Sequence, residues 1–60
     1  MREKFKVDAR VQFISGFRPP TGFFRIVRLL PPIEGEPCYR VKGDHEAFER
    51  VARESELRGA

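Results

Sequence analysis

His45 is the only histidine in the chain and stands between Asp44 and Glu46. A carboxylate beside an imidazole can tune a general base near neutral pH. Adjacent positions on a strand point to opposite faces, so there the three side chains would not converge on one reacting atom. His45 therefore reads as a solvated turn residue. Cys38 is the only cysteine and precedes Tyr39. A thiol becomes a nucleophile when a base or positive charge lowers its pKa. Without one, Cys38 reads as a semi-buried strand thiol. His45 and Cys38 do not make a structural zinc site, which takes four ligands, mostly Cys and His. Ser15-Gly16 and Thr21-Gly22 are too short for phosphate loops. The nine acidic residues are spread among twelve basic ones, and no carboxylate pair has a reason to be buried. No catalytic residue, metal ligand or cofactor is assigned, and no enzyme activity is expected.

Binding chemistry offers more. The cations are nine Arg and three Lys, and the planar guanidinium suits phosphates, carboxylates and aromatic faces. Phe17-Arg18 and Phe23-Arg25 lie at either end of one loop, and Arg28, Arg40 and Lys42 sit on neighbouring segments. Cations beside aromatics hold single-stranded nucleic acid, with about 1–3 kcal/mol per stacked base. Arg25, Arg28, Arg40 and Lys42 are thus the candidate phosphate contacts. The competing reading is that Phe17 folds back over one end of the domain and the Arg side chains keep the sheet soluble. A net charge of +3 is modest beside that of strong nucleic-acid binders. Phe17, Phe23 and Ile33 are the candidate contacts for a protein partner or a second copy. Phe17-Arg18-Pro19-Pro20 and Leu30-Pro31-Pro32-Ile33 could be read as polyproline ligands. The favoured reading is that they stiffen loops and lower the entropy of the unfolded chain.

The elements that must position these residues read as strands. Sixty residues make one small domain with thin stability. Residues 1–4 are charged and expected to fray. Ala9, Val11 and Phe13 alternate, which predicts a strand over 9–14. Gly16, Pro19, Pro20 and Gly22 make 15–22 a loop. Residues 23–30 form the second strand, with Phe24 and Ile26 on one face and Val27 and Leu29 on the other, as in a strand that bends or bulges. Residues 31–37 read as a second loop and 38–42 as a third strand. The expected core is Val11, Phe13, Phe24, Ile26, Tyr39, Val41 and Leu57. After the turn at Gly43-Asp44 the chain is ambiguous. Phe48, Val51, Ala52 and Ser55 have helical spacing, and Glu46–Arg50, Glu49–Arg53 and Glu54–Arg58 are (i, i+4) pairs in the favourable order. The rival is a hairpin in which Val41 faces Phe48 and Arg40 faces Glu49. Local propensity favours the helix.

The order Phe5-x-Val7-x-x-x-Val11, Gly22-x-x-x-Ile26-Val27, Tyr39-Arg40-Val41-Lys42-Gly43-Asp44, Glu49-x-Val51 and Glu54-Ser55-Glu56-Leu57 resembles the small SH3-like barrels of the Tudor and KOW type. The C-terminal half also resembles a group of short bacterial proteins. The resemblance implies a strand after Gly43-Asp44, then a short turn at Glu54-Ser55-Glu56-Leu57 and a last strand. Asp8-Ala9 stands where such barrels often have Gly-Asp. The resemblance implies no enzyme and fixes no ligand. The expected architecture is all-β, an antiparallel SH3-like barrel of about five short strands. The alternative is a three-stranded sheet with a C-terminal helix over 44–58. No apolar run approaches the roughly 20 residues of a membrane span, and Met1–Lys6 lacks the apolar core of a signal peptide. A cytoplasmic protein is expected.

Overall fold

Short alternating segments separated by Gly and Pro form one antiparallel sheet in the computed structural model, which describes residues 3–16 and 18–60. The strands are β1 (Arg10–Phe13), β2 (Phe24–Ile33), β3 (Glu36–Gly43), β4 (Glu49–Arg53) and β5 (Leu57–Gly59). Their order across the sheet is β4-β3-β2-β1-β5. A 3-10 turn over Glu54–Glu56 joins β4 to β5. The all-β antiparallel architecture matches the expectation. The sheet is nevertheless open, because β4 and β5 are its two edges and do not pair with each other.

Two features of β2 bear on the sequence reading, one as expected and one not. Ile26 pairs with Val41 and Arg28 with Arg40, so Val27 is an extra residue, a bulge. The expected irregularity is therefore present, and its position matters below. The strand also continues through Pro31 and Pro32 to Ile33, which pairs with Glu36. Residues 31–37 are not a loop. Only Glu34 and Gly35 turn, with φ of 52° and 78°. Two consecutive residues with positive φ are the signature of a tight hairpin turn whose twist suits the flanking strands. The register shift between Leu30 and Ile33 lets the ladder skip the two prolines, which have no N–H to donate.

The last third is strand, and among the described residues there is no α-helix. Tyr39 and Val41 lie on a strand whose far side needs hydrogen-bond partners, and β4 supplies them. That demand outweighs local helix propensity. The hairpin register differs by two from the expected one: Val41 opposes Arg50 and Arg40 opposes Val51. Arg40 still reaches Glu49 diagonally, at 3.6 Å. Glu46 and Arg50 do pair, at 2.7 Å, but across the turn into β4. The Arg50 guanidinium holds the Glu46 carboxyl below the usual range. Asp8, where Gly-Asp is common in the resembling barrels, has φ of 75°. The Ala9 N–H donates to Lys6 O at 3.0 Å and closes this turn. Asp tolerates the left-handed region better than most residues.

The core is Phe5, Val11, Phe24, Ile26, Tyr39, Val41, Ala52 and Leu57, with Ala9 and Phe13 packed against it. Phe13 was expected inside and is half-buried, edge-on to Phe24 with ring centroids 5.0 Å apart. Gly43 lies opposite Phe24, and a Cβ there would come within 3.1 Å of the ring. Phe5 and Ala52 are the unexpected members, Phe5 edge-on to Tyr39 at 5.6 Å. The Phe5 and Lys4 N–H groups donate to the Tyr39 hydroxyl at 3.2 and 3.1 Å. That hydroxyl donates to Glu54 Oε2 at 2.7 Å, and the Lys4 N–H reaches the same oxygen at 2.7 Å. Lys4 is therefore tied down rather than frayed, while Met1 and Arg2 lie outside the described residues.

Two outcomes follow from this core. Phe24→Ala leaves a cavity beside Ile26 and Val41 and should cost about 3–5 kcal/mol in chemical denaturation. An unchanged midpoint would show that the ring is not in the core. Burial and the Glu54 carboxylate raise the Tyr39 pKa above its ordinary value. The folded state then holds this proton more tightly than the unfolded state, so the contribution is complete below pH about 10 and is lost as pH rises beyond it. Tyr39→Phe should cost about 1–3 kcal/mol at pH 7, because the buried Phe5 N–H loses its acceptor and Glu54 loses the hydroxyl donor, while the Lys4 N–H keeps Glu54. It should also flatten the alkaline limb of a stability–pH curve. A variant as stable as the parent at pH 7 would count against this role.

Candidate nucleic-acid interface

Cross-strand partners point to the same face of a sheet, so the register fixes what the outer face presents. Arg10 pairs with Arg25, and Arg25 with Lys42. Three cations thus form a row across β1, β2 and β3, and Glu49 of β4 ends it. The next row is Arg28, Arg40 and Val51. In the next register row stand Leu30, Cys38 and Arg53, of which Cys38 is buried. Arg58 opposes Gln12 on the β1–β5 side and donates to its side chain at 3.4 Å. All four sequence-derived candidates, Arg25, Arg28, Arg40 and Lys42, are brought together as two adjacent cross-strand pairs.

The bulge is what gathers them. In a regular strand Arg25 and Arg28, three residues apart, would face opposite sides. Inserting Val27 reverses the alternation, so Arg28 joins Arg40 outside and Leu29 joins Tyr39 on the core side. Like charges directly opposite one another destabilise a sheet, and the flanks offset part of that cost. Asp8 holds Arg25 at 3.0 Å and Asp44 holds Arg10 at 3.2 Å. Glu49 pairs with Arg40, and Glu34 lies 3.9 Å from Arg53. Among the described residues no ion pair engages Arg28 or Lys42. These pairs are solvent-exposed and therefore weak, so an incoming anion can exchange for any of these carboxylates at little cost.

Phe23 stands at the end of the first row. The Arg10 guanidinium lies over its ring, 5.8 Å from the centroid. The Asp44 N–H reaches Phe23 O at 3.4 Å. Ile33 sits at the other end of β2, beside the hairpin turn. Phe23 and Ile33 are both 45% exposed, but they are separated by the length of the strand and share no patch. Phe17 lies outside the described residues. His45 is exposed in the turn after β3. Cys38 is fully buried rather than semi-buried, and its Sγ lies 3.5 Å from Glu36 O.

Sequence reasoning missed three contributors. Arg10 was legible, since it alternates with Val11. Arg53 and Arg58 were not, because their facing depends on β4 and β5 registers that no local pattern specifies. It also missed Phe48, 82% exposed, whose helical spacing suggested a packed face. Comparison with family models, curated proteins and solved structures found no match.

The crowding predicts a charge effect on stability. Arg28→Glu places an opposite charge across from Arg40 and should raise the melting temperature by a few degrees at low salt. The gain should shrink in 1 M salt, where the screening length is about 3 Å. A lower melting temperature at low salt would mean that Arg28 and Arg40 do not face each other.

Proposed function

We propose that this chain is a small non-enzymatic binding module of SH3-like, Tudor or KOW type, cytoplasmic, that takes nucleic acid on its outer face. Arg25, Arg28, Arg40 and Lys42 contact phosphates. The observation that carries this reading is the pair of adjacent like-charged cross-strand pairs, Arg25 with Lys42 and Arg28 with Arg40. Such an arrangement is unfavourable alone and becomes favourable when an anion bridges it. The barrel part of the reading is supported by the meander β1 to β4 and by the 3-10 turn before a last strand that returns beside β1. This is the order that the resemblance implies. Contact with a protein through Phe23 and Ile33 ranks second, because the two lie at opposite ends of β2.

Salt dependence tests the proposal. Three or four phosphate contacts give a log–log slope of affinity against salt of about −2 to −4. Arg28→Ala and Arg40→Ala should each flatten it by about one unit. Absence of binding to both single strands and duplexes at low salt would remove the proposal and leave the protein-partner reading in its place.

A further inference from the structure

A recess of about 170 Å³ opens at the end of the first cation row, between Thr21–Phe24 and Gly43–Glu46. Phe23 forms one wall, with the Arg10 guanidinium against its ring. Arg10 is held there by Asp44 at 3.2 Å. His45 and Thr21 also line it, but no guanidinium or ammonium does, and it offers a base an aromatic wall beside the carboxylates of Asp44 and Glu46, which pair with Arg10 and Arg50. The cation row begins at its rim. With neighbouring strands about 4.8 Å apart, Arg10, Arg25 and Lys42 cover about 10 Å of surface, a footprint of a few nucleotides.

We infer that the ligand of this face is a single-stranded nucleic acid, one base of which stacks on Phe23 in the recess while the adjoining phosphates run along Arg10, Arg25 and Lys42. This rests on the nucleic-acid reading above and narrows it. A duplex presents phosphates to the row, but its bases are stacked internally, and extruding one costs a few kcal/mol. A single strand has bases free to stack, and stacking is sequence-tolerant because every base has a π-face. Arg10 adds to the site by fixing the ring and polarising it.

The test compares three probes by fluorescence anisotropy at low salt: a ten-nucleotide oligothymidylate, an abasic strand of the same length, and a ten-base-pair duplex. The expected result is that the oligothymidylate binds about 5- to 150-fold tighter than the abasic strand, the equivalent of one stacked base. Phe23→Ala should abolish that ratio and leave the salt slope unchanged. Phe23→Trp should preserve or increase the ratio, which separates loss of the aromatic face from a general disturbance of the loop. Arg28→Ala should lower the slope and leave the ratio alone. Equal binding of the strand and its abasic counterpart, tighter binding of the duplex, or a ratio unaffected by Phe23→Ala would overturn the inference while the cation-face reading stands. No binding by any of the three probes would end both.

Discussion

The Tyr39 hydroxyl is the constraint on which the rest depends. It is the polar tip of a fully buried ring at the centre of β3. Burying a hydroxyl is costly unless it is hydrogen-bonded. This one accepts two backbone N–H groups from the start of the chain and donates to Glu54 near its end. The bonds bring Phe5 into the core, edge-on to the Tyr39 ring. A chain this short has neither a disulfide nor a large interior to lean on. A saturated polar group inside the core makes one packing arrangement preferable to its neighbours.

With the inner face so defined, the outer face follows from register. Each strand that commits one set of side chains to Tyr39, Val41 and Ile26 commits the alternate set to water. Five strands of alternating sequence therefore sort charge as well as hydrophobicity. At Val27 the sorting is adjusted, where the extra residue moves an arginine from the core side to the solvent side. The same residue puts Leu29 opposite Tyr39 in the register, where it stays 40% exposed. One irregularity thus serves both the packing and the charge pattern, which is the way bulges commonly re-aim side chains.

Much of this was legible in the sequence, and the rest was hidden for identifiable reasons. Val11, Phe24, Ile26, Tyr39 and Val41 announced the inner face because strict alternation and β-branched or aromatic residues coincide there. The four outer cations were readable from the same alternation, though Arg28 needed the bulge to be placed. Pro31-Pro32 read as a loop because proline is a local signal, whereas the strand around it is held by a turn at Glu34-Gly35 and by pairing to β3. The helical pattern over 44–58 was locally sound and lost to the unpaired edge of β3, a demand set some ten residues upstream. Phe5 was obscured by charged neighbours. Its burial depends on a hydroxyl 34 positions away, and no window of sequence contains both partners.

The prolines of β2 have a consequence beyond shape. From Val27 onward β2 extends past the end of β1, so one side of its backbone faces solvent along the hairpin arm. A bare strand edge is a template on which another chain can add itself, and repeated addition builds fibres. Pro31 and Pro32 carry no N–H, and because successive N–H groups alternate sides, one of the two removes a donor that a foreign strand laid against that stretch would use. The arm is in this sense sterile.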